Sequence, residues 1–297
     1  MIPMKEKIFA LGFFDGVHLG HQALLRRCKE LADRYGCKAG VVTFLGHPDT
    51  LVTGSTPQMI NTPQDRKKLL RQFHMDTVLE LPFDEKLMQM AWQSFVTMLV
   101  EQYDAAGFVC GEDFRFGSRG EGTAQLLADF CQKTGYCCAV VPQQKLDGTA
   151  VSSTHIRKLL QDGQMEQAVR FLGHAHILTG TVVTGRQLGN TIGIPTANLL
   201  LPPELVQPKK GVYACRAYAE GREYLAVTNV GTRPTVGGHR LTVEAWLLDF
   251  AGDLYEKELT LRFFAFLREE KEFASLEELQ AEIQRNAQQT RKILEKT

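Results

Sequence analysis

No charge of either sign is in excess in this chain of 297 residues: 34 Lys and Arg balance 34 Asp and Glu. The balance holds on both sides of Gly173, with 19 of each sign before it and 15 of each after it. A surface that neutralises many phosphates carries a basic excess, so a sequence-independent nucleic-acid binder is excluded, and polybasic attachment to a membrane with it. No apolar run approaches the ~20 residues of a membrane-spanning helix. Met1–Lys7 is short and mixed, and Ile8–Phe14 is interrupted by Gly12, so no signal peptide is expected. The seven cysteines are an odd number, form no C-x-x-C pair, and at Cys110, Cys131, Cys137 and Cys138 sit in apolar company as small core residues. A disulfide framework and a zinc ribbon are thereby excluded, and a reducing cytoplasm is the expected compartment.

The chain is long enough for about two domains at ~100–200 residues each, and its apolar share of 44% suits ordinary cores rather than disorder. The first half alternates strand-like and helix-like segments. Strands are expected at Lys7–Phe14, Gly40–Phe44, Thr77–Leu81, Gly107–Cys110 and Tyr136–Val141. Helices are expected at Gln22–Tyr35, Gln64–Phe73, Lys86–Tyr103, Thr123–Thr134, Ser152–Gln161 and Gln164–Leu172. Such a β-α-β rhythm predicts a parallel sheet. The stripe Trp92, Phe95, Met98 and Leu99 reads as core. After Leu172–His176 the pattern changes to strands at Ile177–Thr184, Gly211–Ala219, Tyr224–Val230, Thr242–Phe250 and Leu259–Leu267, then one helix from Ser275 to about Lys296. Ser275 followed by Glu278 has the spacing of a capping box. This predicts a small antiparallel barrel with a C-terminal helix. His174 and His176 flank the boundary, where a linker role is expected, and Glu269–Glu272 reads as a solvated turn.

Two stretches carry chemistry. Phe9–His21 reads FALGFFDGVHLGH: a strand, a Gly-containing turn, two histidines three apart, and the start of a helix. Open parallel sheets bind ligands beyond the carboxyl ends of their strands, and a helix N-terminus suits phosphate. His18 and His21 can face one phosphate chain, while Gly12, Gly16 and Gly20 let backbone approach it. Ser152–Arg157, SSTHIR, adds hydroxyls at a helix start and an arginine one turn on, a set that suits a triphosphate. The second stretch, Gly180–Asn198, is glycine-rich and ends in Pro195-Thr196-Ala197-Asn198. It lacks the G-K-[ST] of a Walker A loop. In extended backbone Thr196 and Asn198 share a face, and their oxygens are hard ligands suited to Mg²⁺. Glu244 interrupts an apolar strand, a costly position for a carboxylate without a partner or a task. Trp246 and Leu248 lie on its face, so that face is not simply polar.

GFFDGVHLGH, GEDFRFG (Gly111–Gly117) and SSTHIR resemble the adenylyltransferase module of bacterial bifunctional riboflavin kinase/FAD synthetases, over about Lys5 to Leu172. Pro-Thr-Ala-Asn, Gly211–Ala214, Asn229–Thr235, Val243–Phe250 and Arg268 with Lys271–Phe273 resemble riboflavin kinases, over His174 to about Lys292. The resemblance implies an α/β Rossmann-like nucleotidyltransferase domain over residues 1–173, followed by a small antiparallel β-barrel (riboflavin kinase-like) with its C-terminal helix over 174–297. It implies ATP-dependent phosphorylation of riboflavin to FMN, then adenylyl transfer from ATP to FMN, giving FAD and pyrophosphate. His18 and His21 are then the catalytic pair for adenylyl transfer. Gly12, Asp15, His47, Asp113, Ser153, Thr154 and Arg157 would bind nucleotide or flavin. Glu244 is the implied base for the ribityl hydroxyl, with Thr196 and Asn198 on Mg²⁺ and Gly185, Arg186, Gly193, Asn229 and Arg268 binding substrate. The implied partners are small molecules, not nucleic acid or membrane, and monomer and weak homo-oligomer stay open. Phe13, Gly46, His155 and Asn286 depart from the family's usual Asn, Pro, Arg and Asp; the last change is read as peripheral to chemistry. Two other readings stay open, an enzyme retaining one activity and a non-catalytic flavin or nucleotide binder.

Overall fold

A computed structural model of the chain describes residues 5–184, 193–200, 202–235 and 238–295, with the side chains of 233–241 left aside. By contact the chain divides into two compact units, Met1–Pro57 with Pro63–Ser153, and Gln58–Thr62 with Thr154–Thr297. Among the described residues no helix is long and apolar enough to cross a membrane.

The first unit is built on a five-stranded parallel sheet of β1 (Lys7–Leu11), β2 (Lys38–Phe44), β3 (Thr77–Leu81), β4 (Ala105–Gly111) and β7 (Cys137–Val141), in the order β3-β2-β1-β4-β7. The central strand β1 is buried from Ile8 to Leu11, as a strand in a covered parallel sheet must be. Its helices are α1 (Leu19–Tyr35), α2 (Asp49–Val52), α3 (Pro63–Gln72), α4 (Glu85–Met88), α5 (Trp92–Tyr103) and α6 (Ala124–Thr134). The stripe of α5 joins the core: Phe95 and Leu99 pack with Phe108, Phe116 and Leu127, and Trp92 and Met98 lie against them. Glycines in the left-handed region end α1 at Gly36 and α6 at Gly135. The single helix expected over Lys86–Tyr103 is two. Met90 gives its carbonyl to Ser118 N at 2.7 Å, Ala91 is extended, and Asp84 caps α4 by accepting from Leu87 N at 2.8 Å. Two short hairpins, β5 (Arg115–Phe116) with β6 (Gly122–Thr123) and β8 (Lys145–Leu146) with β9 (Thr149–Ala150), complete the unit.

The second unit holds α8 (Met165–Leu172) and all but the first residue of α7 (Ser153–Gln161). Leu160 O accepts from Lys209 N at 3.0 Å, and α8 packs on β15 (Glu258–Arg268). The compact division therefore precedes Gly173. The barrel is closed and six-stranded, in the order β10 (His176–Val183), β11 (Ala197–Leu200), β14 (Gly238–Leu247), β13 (Arg222–Thr235), β12 (Gly211–Ala219), β15. β11 was not expected as a strand: it is four residues long, and its pairing with β10 is confined to Val182 and Val183. Alternate positions such as Tyr213, Cys215, Val243, Ala245, Leu261 and Phe263 are fully buried. On the opposite face Val212, Val227 and Trp246 pack with Ala287 of the last helix, α9 (Leu276–Leu294). The capping box forms with a variation: Ser275 Oγ accepts from Glu278 N at 3.3 Å, and Glu278 Oε2 accepts from Ala274 N at 3.1 Å. His176 is no linker residue. It opens β10, is buried, and sets its ring 5.7 Å from that of Phe263.

Candidate functional sites

In the first unit the turn from β1 into α1 is strained. Phe14, Gly16 and Val17 all have positive φ, at 61°, 82° and 40°. Such φ values cost non-glycine residues about 1–3 kcal/mol each and gather at functional sites. The turn delivers His18 as the N-cap of α1, where its Nδ1 accepts from His21 N at 3.3 Å. Nδ1 is thereby an acceptor, which leaves Nε2 as the protonated nitrogen of the neutral ring. The two imidazoles stack, with centroids 3.6 Å apart and planes 12° from parallel. Gly20 leaves little room beside the His18 ring: a Cβ there would meet His18 Cε1 at 3.1 Å and Nδ1 at 3.2 Å. Burial, then His18, then Arg66 hold the His21 pKa well below 6.5. His21 is therefore neutral at pH 7.

The neighbours of this turn include expected residues. Asp15 is buried, and its carbonyl accepts from Ser153 Oγ at 2.9 Å. His47 sets its ring 4.6 Å from Phe13, at a steep interplanar angle of 66°. The Phe13 carbonyl accepts from Thr43 Oγ1 at 2.8 Å. Gly12 ends the strand, where a Cβ would meet the Phe14 ring at 3.1 Å. Asp113 is exposed just beyond the carboxyl end of β4, β1's neighbour in the sheet. Thr154 and Arg157 lie on α7, in the second unit.

In the second unit Glu244 has Asn198 opposite it on β11 and Asn229 opposite it on β13. Directly opposed residues share a sheet face, so the three make a polar row across three strands. A cavity of about 280 Å³ opens there. Its lining includes Thr196, Asn229, Glu244, Trp246, Arg268 and Phe273. A second cavity, of about 430 Å³, is lined by Thr196 again with Phe250, Leu254 and Tyr255 among others. Thr196 thus borders both spaces. Asn198 is buried and donates from Nδ2 to Thr196 O at 3.3 Å, so its Oδ1 is not the atom used in that contact. Gly193, with φ 69°, is exposed. Gly185 and Arg186 lie outside the described residues.

Two expectations are corrected here. Asn286 is not peripheral: it is buried, lines the smaller cavity, and its Oδ1 accepts from Arg268 Nε at 3.2 Å. Glu269–Glu272 is not simply a solvated turn, because Glu270 and Lys271 line the same cavity and Glu270 Oε1 accepts from Asn229 Nδ2 at 3.3 Å. Arg268 has its pKa lowered by burial, opposed by Glu282 and Glu270. Glu282 lies 3.4 Å from Arg268 and 3.1 Å from Lys271, and the hydrogen bond from Lys271 leads in holding its carboxyl below the usual range. Sequence reasoning also missed Arg66 and Glu282. Both sit in charged helical runs that look like ordinary solvated faces; only the apolar positions around them hinted at burial.

A family model described as FAD synthetase matches residues 3–155, and one described as riboflavin kinase matches residues 172–294. Curated relatives named bifunctional riboflavin kinase/FMN adenylyltransferase include those of Pseudomonas fluorescens, Escherichia coli K12 and Listeria monocytogenes. The first is 37% identical over 93% of this chain and 89% of its own. The second is 36% identical over 96% and 91%, and the third 31% identical over 96% and 92%. A solved Streptococcus pneumoniae structure, described as a macrolide-efflux protein, superposes with a TM-score of 0.88 at 28% identity, covering 97% of this chain and 94% of that one.

Proposed function

Because the chain belongs to the bifunctional riboflavin kinase/FMN adenylyltransferase family, we propose that its two units divide the work as their sites suggest. The barrel, within residues 174–297, phosphorylates riboflavin to FMN. The α/β domain, within residues 1–173, transfers AMP from a second ATP to FMN. The observation that carries this reading is that each unit gathers its own motif at one place: stacked imidazoles on a strained turn, and a carboxylate flanked by two amides beside a cavity.

In the barrel, Glu244 accepts the proton of the ribityl 5′-hydroxyl as its oxygen bonds to the γ-phosphorus of ATP and the bond to the departing ADP oxygen breaks. Trp246, Phe273 and the aliphatic lining give the flavin an apolar seat, while Arg268 and Asn229 orient its polar edge. The second cavity, which Thr196 also borders, suits the nucleotide. Thr196 and Asn198 fit Mg²⁺, since both offer neutral hard oxygens beside a carboxylate, the kind of set that magnesium shares with phosphates. When bound, that ion neutralises charge on the transferring phosphoryl group.

In the α/β domain no protein nucleophile is needed. A phosphomonoester with a second pKa of about 6 is mostly a dianion at neutral pH. An oxygen of the FMN phosphate bonds to the α-phosphorus, and pyrophosphate leaves with the electron pair of the broken bond. His18 and His21 hydrogen-bond to phosphate oxygens as charge shifts toward the leaving group. Ser153, bonded to the Asp15 carbonyl, adds a hydroxyl at the turn for the polyphosphate, and Gly12, Asp15, His47 and Asp113 complete the nucleotide and flavin contacts. Seven free cysteines suit the cytoplasm, and the partners are small molecules.

The test uses one preparation and two reactions. Glu244→Gln slows FMN formation by about 10²–10⁴-fold and leaves FAD formation from supplied FMN intact. His21→Ala does the reverse. Loss of both activities in either folded variant would refute the two-site assignment.

A further inference from the structure

Arg66 belongs to no motif in the sequence, yet it is among the most buried large side chains of the protein, with 1% of its surface exposed. It projects from α3 and is close enough to His21 for its charge to act on that imidazole. Its guanidinium lies 4.4 Å over the Phe13 ring, and Nη2 donates to Phe44 O, at the carboxyl end of β2, at 2.7 Å. The other terminal nitrogen, Nη1, is buried with no hydrogen-bond partner among the described residues. So is His21 Nδ1. Leaving a buried charged donor unsatisfied is costly, so such groups are paired unless something else completes them.

We propose that Arg66 is a substrate-binding residue of the adenylyl-transfer site, its Nη1 donating to an anionic phosphate oxygen of ATP or FMN. The inference rests on the adenylyltransferase reading of the first unit. It explains why so buried an arginine holds one N–H in reserve: an incoming phosphate oxygen supplies the missing acceptor and a charge of opposite sign. It also resolves an electrostatic shortfall. The imidazole of His21 is neutral at pH 7, so it lends a hydrogen bond but no full charge to the developing pyrophosphate. A guanidinium stays charged at every working pH and takes oxyanions in a fixed fork. Asp15 and Glu80 favour that charge against burial. Phe13 then gains a purpose, because its ring, in contact with both the Arg66 guanidinium and the His47 imidazole, fixes the plane of the fork.

The test is made on the full chain with Arg66→Ala and Arg66→Lys, following FAD formation from supplied FMN at varied ATP and varied FMN. A hydrogen bond to a charged group is worth about 1.5–3 kcal/mol, so kcat/KM falls by roughly 10- to 150-fold in Arg66→Ala. A raised KM for ATP assigns the contact to the triphosphate, and a raised KM for FMN assigns it to the flavin phosphate. Millimolar guanidinium ion restores part of the activity of Arg66→Ala and none in Arg66→Lys, where the lysine fills the space. FMN formation by the same preparations reports intact protein. Unchanged kcat and KM in Arg66→Ala overturn the proposal, and so does a loss that guanidinium leaves untouched with both KM values unaltered, which marks a purely structural arginine. His21→Ala separates the two levels. If it abolishes FAD formation while Arg66→Ala does not, only the role of Arg66 fails; if neither matters, the site itself is misplaced.

Discussion

Asn286 is a neutral amide in charged company. Arg268 donates to it, and Glu282, one turn earlier on α9, reaches the same guanidinium at 3.4 Å. An aspartate there would neutralise the arginine twice over. With Asn, the direction of Arg268 is fixed without a further carboxylate beside Glu282 and Glu270. Replacing Asn286 by Leu removes the acceptor and leaves Arg268 with Glu282 and the Glu269 carbonyl. A lost hydrogen bond to a charged group costs about 1.5–3 kcal/mol. Riboflavin phosphorylation by Asn286→Leu is therefore expected to drop by roughly 10- to 150-fold in kcat/KM, mainly through riboflavin KM, with FAD formation from supplied FMN unchanged. Steady-state rates at varied riboflavin check this, and an unaltered KM would place Asn286 outside the flavin's reach.

Among the elements, the start of α1 shows local stability and function pulling apart. Gly20 occupies the second position of a helix, where alanine is the better helix former by about 1 kcal/mol. Its Cβ would nevertheless press on the His18 ring at 3.1–3.2 Å. Gly20→Ala is expected to leave the melting temperature level or slightly raised while FAD formation falls and FMN formation holds. Equal FAD formation would mean that the stacked pose of the imidazoles is not the working one. This element was legible in the sequence because its reasons are local: glycine spacing, a turn after an apolar strand, and a histidine at the cap. The break between α4 and α5 was not, because its cause is a hydrogen bond from Ser118, far along the chain. β11 was too short to show a period of its own. Arg66 and Asn286 escaped for the same reason as the helix break: their burial depends on what the fold lays over them, and a charged or amide side chain in a helix looks alike whether covered or bare.

The whole molecule carries two tryptophans, and the fold gives one to each unit, Trp92 to the first and Trp246 to the second. That distribution lets the stability of the barrel unit be read by itself. His176 makes this stability depend on acid. Burial, aided by His174, lowers its pKa from 6.5 to about 3, and its ring nitrogens find no hydrogen-bond partner among the described residues. The native state thus keeps the ring neutral where the unfolded chain protonates it. Stability from this group is complete above about pH 6.5 and is lost as pH falls toward 3, at up to about 1.4 kcal/mol per pH unit. His21 shifts in the same direction, but in the first unit. In a Trp92→Phe background, urea unfolding followed by Trp246 fluorescence isolates the barrel. Its midpoint is expected to fall between pH 7 and pH 5, and His176→Leu, which has no proton to gain, to flatten that fall. Parallel pH dependences with and without the imidazole would show that another group sets the acid limit of the barrel.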